Sequence, residues 1–127
     1  MPNPSGKTFG FSKRHRLSSK RTIDGLFRKG EFRSRGYLKF RYRSTEEGYT
    51  RVVISISKRA GNSPQRNRIK RLIRESLRLS GHLHHRSIDC GIFITRAPQK
   101  PPTLAEIQGY IAWFFSHLPD ESSTSVE

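Results

Sequence analysis

The sequence predicts an α+β fold, a small sheet with helices packed on it, from three observations. Residues 37–43 and 51–57 alternate apolar and polar side chains, the period of a half-buried strand. Residues 66–78 and 104–118 instead repeat apolar side chains every three to four positions, the period of a helix with one buried face. Between those helices lies the apolar run Ile88–Ile94, so residues 51–94 read as a strand-helix-strand unit with parallel strands.

Taken in order, residues 1–8 are rich in Pro, Gly and Asn and are expected to be disordered. Ser18 or Ser19 caps a first helix in which Ile23, Leu26 and Phe27 recur at i, i+3 and i+4, with Gly30 as its stop. The first strand puts Leu38, Phe40 and Tyr42 on one face and Tyr37, Lys39, Arg41 and Arg43 on the other, so its outer face is unusually basic. Glu46-Glu47-Gly48 reads as a hairpin-like turn into the second strand, where Val52, Ile54 and Ile56 alternate with Val53, Ser55 and Ser57. Gly61-Asn62 then forms a turn, Ser63 caps the next helix, and Pro64 takes its first position, where a missing N–H costs nothing. Gly81 and a His-rich loop lead to the strand Ile88–Ile94, and prolines at 98, 101 and 102 break the chain. Thr103 and Glu106 supply a capping box for the last helix, whose buried face collects Leu104, Ile107, Ile111, Phe114, Phe115 and Leu118. The order is helix, two strands, helix, strand, helix. Residues 119–127 are polar, acidic and Ser-rich, and are expected to be disordered, leaving a single domain over 9–118.

A chain of 127 residues with 32% apolar content supports one domain with a modest core. Its net charge of +15 destabilises an isolated fold and is tolerated where phosphates neutralise it, which points to nucleic acid. Every Lys and Arg except Lys7, Arg96 and Lys100 lies between Lys13 and Arg86, against the acids Asp24, Glu31, Glu46, Glu47 and Glu75. The charge therefore belongs to the folded part. Cys90 is alone in its apolar run, which excludes a disulfide framework and a thiolate zinc site. No stretch reaches the roughly 18 apolar residues of a membrane span, and the first residues hold no apolar signal core. A reduced, cytoplasmic protein without a membrane partner or a small-molecule substrate is expected.

The helix around Arg66 carries the sharpest signal. At about 100° per residue, Ile69, Leu72, Ile73, Ser76 and Leu77 share one side while Asn67, Lys70, Arg71, Arg74 and Arg78 crowd the other. Like charges at this spacing repel by roughly a few tenths of a kcal/mol per pair, so the arrangement favours an anionic partner over a solvated face. Lys58 and Arg59, between a strand end and this helix, add cations and backbone donors at one sheet edge, a reasonable phosphate seat. The Gly-rich phosphate loop of nucleotide hydrolases is absent. Arg66 and Arg68 can fork to phosphates or stack on bases; Asn67 can bond within the cap region or to a sugar or base.

Aromatic residues interleave with cations through the N-terminal third, at Phe9, Phe11, Phe27, Phe32, Tyr37, Phe40 and Tyr42, as in single-strand binders that combine stacking with charge. Phe40 and Tyr42 fit packing or a concave sheet face; Phe27 and Tyr37 are candidates for ligand contact. His82, His84, His85 and Cys90 invite a metal-dependent nuclease reading, against which a polar loop is the simpler account. The remaining acids are scattered, with no paired carboxylates and no Ser/His/Asp set, so no catalytic residue and no metal ligand is expected on the chain itself.

Arg66-Asn67-Arg68-Ile69-Lys70-Arg71-Leu72-Ile73-Arg74-Glu75 following Ser55-Ile56-Ser57-Lys58-Arg59 resembles the signature of the bacterial ribonuclease P protein subunit. Arg16-Leu17, Ile23, Leu26, Phe27 and Gly30 resemble that family's opening helix, and residues 89–96 resemble its late strand, which ends in an Arg before a Pro-containing loop. The resemblance covers residues 11–115. It implies a fold similar to ribosomal S5 domain 2-like folds and a protein that assists a catalytic RNA in removing the 5′ leader of precursor tRNA, the RNA performing the hydrolysis with Mg²⁺. It further implies that Lys58, Arg59, Arg66, Asn67, Arg68, Lys70, Arg71 and Arg74 face the catalytic RNA. A cleft with Ile23, Phe27, Tyr37, Lys39, Phe40 and Arg41 would bind the single-stranded leader. Ile23 stands where the family commonly has Phe, so leader contact there would lack a ring. Another basic RNA-binding protein, such as a ribosomal protein, would share the charge without the cleft.

Overall fold

The computed structural model describes residues 13–119; the stretch 1–8 and the tail beyond Pro119, both expected to be disordered, lie outside the described residues. Helix α1 (Lys20–Lys29) starts where Ser19 Oγ accepts the Thr22 N–H at 3.3 Å and stops where the Gly30 N–H reaches Leu26 O at 2.7 Å. Four strands follow: β1 (Glu31–Arg35), β2 (Leu38–Ser44), β3 (Arg51–Ile56) and β4 (Ile88–Ile94). Strand β1 is not among the sequence expectations. It forms because Gly36, at φ 59°, closes a tight turn with Tyr37 and pairs Arg35 with Leu38, and it stays exposed along most of its length.

The sheet order is β1-β2-β4-β3, with β2 antiparallel and β3 parallel to β4. The hairpin-like turn expected at residues 46–48 is therefore corrected, because β4 inserts between β2 and β3. The cause is composition: β4 is buried along nearly its whole length, and the centre of a covered sheet favours an apolar strand. The 45–48 turn packs on Ser87 instead, through Thr45 N–H to Ser87 O at 2.9 Å and Gly48 N–H to Ser87 Oγ at 2.9 Å. Along the outer edge of β3 runs the segment before α1, where the Leu17 N–H donates to Val52 O at 2.8 Å.

Helix α2 (Ser63–Ser80) is capped by Asn62, one residue before the expected Ser63. Asn62 Oδ1 accepts the Gln65 N–H at 2.9 Å and Gln65 Oε1 accepts the Asn62 N–H at 2.8 Å, a reciprocal box that Ser63, inside the first turn, cannot make. Helix α3 (Leu104–Ser116) carries the expected box between Thr103 and Glu106. Both helices cover one face of the sheet. Ile69, Ile73 and Leu77 of α2 and Ile107, Ile111 and Phe114 of α3 meet Leu38, Phe40, Val52 and Ile92 in one core. Phe40 stacks on Phe114 with centroids 4.3 Å apart, and Tyr42 meets the same ring edge-on at 5.4 Å.

The other face carries α1 alone. Leu26 is fully buried beneath it, and Phe27 lies so close to Gly91 that a Cβ there would sit 2.9 Å from Phe27 Cζ. On the same face, Arg51 Nε and Nη2 donate to the two carboxylate oxygens of buried Asp89 at 2.8 and 2.9 Å, fastening β3 to β4.

Candidate nucleic-acid interface

The first cationic surface is built on α2 because its apolar stripe is consumed by the core. With Ile69, Ile73 and Leu77 inward, Asn67, Arg68, Arg71 and Arg74 are exposed and Arg66 and Lys70 half-buried. Lys58 and Arg59 are exposed on the 3-10 turn Lys58–Ala60, which starts where the Arg59 N–H donates to Ser57 Oγ at 3.1 Å. Among the described residues, none of these cations forms an ion pair. Glu75, the acid within the run, is taken by Arg78, whose hydrogen bonds hold the carboxyl below its ordinary pKa. Arg66 Nη2 donates to Ser63 Oγ at 3.0 Å, while its buried Nε–H has no acceptor among the described residues. Arg68 makes only a long contact, 3.5 Å to Pro102 O.

The second surface is the open part of the sheet beside α1. Strand register places Lys39 opposite Phe93, Arg41 opposite Gly91 and Phe32 opposite Arg41, so these side chains share the α1 side. Phe27 meets Phe93 edge-on at 5.4 Å, Phe32 lies 6.5 Å from Phe93, and the Arg41 guanidinium sits 5.2 Å over the Phe32 ring. Arg41 Nη1 also donates to Gly30 O at 3.3 Å, and Lys39 Nζ to Thr95 Oγ1 at 3.0 Å. Ile23, one turn before Phe27 on α1, is half-buried. The result is a shallow groove with aromatic rings on its floor and cations beside them, able to hold a single strand by stacking and charge.

Two of the sequence-expected groove residues are elsewhere. Phe40 has no exposed surface and stacks in the core, because alternation sends it to the α2 and α3 side with Leu38 and Tyr42. Tyr37 belongs to the β1–β2 turn rather than the outer strand face. Its hydroxyl donates to Glu106 Oε1 at 2.9 Å and its ring meets Tyr110 edge-on at 5.1 Å; burial, with the Glu106 carboxylate beside it, raises its phenol above the ordinary pKa. Phe32 and Phe93 are the rings that sequence reasoning left out of the groove. Phe93 shares the face of Lys39 by simple period-two counting from the β2–β4 register, which no local pattern supplies.

His15, His82 and His117 pack their rings into the fold. His15 is buried, its Nδ1 2.8 Å from Thr50 O and its ring edge-on to His84 at 4.9 Å, and desolvation lowers its pKa. His82 stacks on Phe115 at 4.5 Å, and Cys90 is fully buried, which pushes its thiol up. Among the described residues no group of three His, Cys, Asp or Glu side chains is placed to hold a metal ion, and no helix is long and apolar enough to cross a membrane.

Residues 11–118 match the family model described as Ribonuclease P. The chain is 34% identical over 96 residues to the ribonuclease P protein component of Macrococcus caseolyticus, an alignment covering 75% of this chain and 82% of that protein. Its fold is similar to that of a mutant RNase P protein of Staphylococcus aureus, with TM-score 0.74, 25% identity, and 91% and 96% of the two chains covered. The RNase P protein from Thermotoga maritima shares the fold at TM-score 0.70 and 19% identity, over 83% of this chain and 98% of that one.

Proposed function

We infer, from the fact that this chain belongs to the ribonuclease P protein family, that its two cationic surfaces bridge the catalytic RNA of ribonuclease P and the 5′ leader of precursor tRNA. As a bacterial-type protein component it works within a ribonuclease holoenzyme. The α2 surface, with Lys58, Arg59, Arg66, Asn67, Arg68, Lys70, Arg71 and Arg74, docks on the catalytic RNA; the groove of Ile23, Phe27, Phe93, Lys39 and Arg41 takes the leader. The observation that carries this reading is that the two surfaces lie on opposite faces of one sheet, so each is free to meet a different strand. Chemistry belongs to the RNA. Among the described residues no group of three His, Cys, Asp or Glu side chains is placed to hold a metal ion, so this reading assigns the Mg²⁺ to the RNA. The protein supplies charge that offsets phosphate repulsion between RNA and substrate, in the cytoplasm, where precursor tRNA is made in bacteria.

Reconstitution with a bacterial catalytic RNA at low Mg²⁺ tests this. Cleavage of precursor tRNA at the mature 5′ end should be restored by the chain, and more so for a substrate with a leader of several nucleotides than for one with a single leader nucleotide. No restoration, or restoration independent of leader length, overturns the bridging role.

A further inference from the structure

Where the β1–β2 turn, the loop after β4 and α3 meet, a cavity of about 560 Å³ opens at the end of the groove, within the size range of small-ligand sites. Tyr37 and Tyr110 form its aromatic wall, and Lys39 and Arg96 bring cations to it. The wall is fixed: a Cβ on Gly36 would lie 2.2 Å from Tyr110 Cζ, so the tyrosine ring rests directly on the turn's backbone. Glu106 is also held in place. Its Oε1 accepts from the Tyr37 hydroxyl at 2.9 Å and from the Thr103 N–H at 3.4 Å, while Oε2 has no bond among the described residues.

We propose that this cavity is a subsite for one unpaired guanine of the RNA strand that occupies the groove. The proposal rests on the groove being a single-strand site, and Lys39, which lines both, makes the two continuous. A carboxylate accepts hydrogen bonds and donates none, so it selects a base by its donors. Guanine presents N1–H and N2–H side by side, and both can converge on Oε2, the oxygen that Tyr37 and Thr103 leave open. Uracil presents a single N3–H between two carbonyl oxygens that repel it, and adenine and cytosine present one amino group beside an acceptor nitrogen. The tyrosine faces tolerate any base, and Lys39 and Arg96 sit where the flanking phosphates would pass. Selection therefore falls to Glu106.

The test uses the full chain and fluorescent RNA heptamers, one all uridine and seven with a single guanosine moved along it, with affinities read by anisotropy at fixed salt. At one position guanosine should tighten binding by about tenfold over uridine, the lower end of what a bidentate base contact discriminates. Glu106→Gln keeps the capping box, since Gln also serves at that position, and should bring the guanosine-to-uridine ratio to about one. Equal affinity for all eight heptamers overturns the guanine subsite and leaves the groove intact, and so does a ratio unchanged in Glu106→Gln. Failure of every heptamer to bind overturns the groove as a single-strand site, and the subsite with it.

Discussion

Gly91→Ala places the two roles of the α1 face in one experiment. The new Cβ would stand 2.9 Å from Phe27 Cζ, 3.3 Å from Cε2 and 3.6 Å from Leu26 Cδ2, and the first distance is too short to persist. Leu26 is fully buried and cannot yield, whereas the Phe27 ring borders the groove and can swing into it. Crowding of this kind costs about 1–3 kcal/mol, and removing a glycine from a strand returns roughly 0.5–1 kcal/mol, so a net destabilisation of about 1 kcal/mol, and at most about 2.5, is expected. At about 3–6 °C per kcal/mol, between the values for 60–100-residue and 150–250-residue domains, the melting temperature should fall by a few degrees. The displaced ring also loses its stacking position. Since one base on an aromatic ring is worth about 1–3 kcal/mol, leader affinity should drop by fivefold or more. The companion variant Phe27→Leu carries no ring to displace, so adding Gly91→Ala to it should cost less stability than in the native background, a coupling that a double-mutant cycle measures. Additive stabilities, with leader affinity unchanged in Gly91→Ala, would refute the contact as the determinant of the groove.

Four further outcomes follow from other contacts. Replacing both Arg68 and Arg71 with Ala should weaken assembly with the catalytic RNA by a few kcal/mol, about 1.5–3 per lost charge-assisted contact, with the melting temperature unchanged; normal assembly in a filter-binding titration would misplace that face. Leader affinity should fall with salt with a log–log slope of about 0.7 per phosphate neutralised, and Lys39→Ala should lower that slope by about the same amount. Asp89→Asn leaves Arg51 without its carboxylate; loss of one partner of a buried pair costs about 3–5 kcal/mol, reduced toward 2 because the Arg51 side chain is 25% exposed, and urea unfolding measures it. His15 has a folded pKa below its unfolded 6.5, so the native state binds fewer protons than the unfolded one near that pH. Its contribution should be complete above pH 6.5 and be lost as pH falls through the folded value. Melting curves at pH 7.5 and 5 should differ less in His15→Gln than in the native chain.

Legibility followed periodicity. Helices α1, α2 and α3 and strands β2, β3 and β4 each bury one face or both, so their spacing carries them into the sequence. Strand β1 does not, because Glu31, Phe32, Ser34 and Arg35 are all exposed and leave no alternation to detect. Gly36 between two charged stretches was the available trace. Strand order is set by which strand is most apolar rather than by adjacency, and the unbroken run of β4 held that information. In the site, the α2 cations were plain because they crowd the helix side opposite its core stripe. Phe40 stands in the expected leader group because the family resemblance marks the whole stretch 38–41, whereas a period of two sends neighbours to opposite faces. Phe93 reaches the groove through pairing with a strand fifty residues earlier, which no window of sequence contains.

The two margins of the sheet bear on how this protein survives before it meets RNA. An open strand margin offers unpaired N–H and C=O groups to any other extended chain, the usual beginning of aggregation. Here one margin is β1, studded with Glu31, Arg33 and Arg35, and the other is covered in part by the segment bonded to Val52. The net charge of +15 adds repulsion between copies of a newly made molecule, opposing that pairing until an anionic scaffold takes it up.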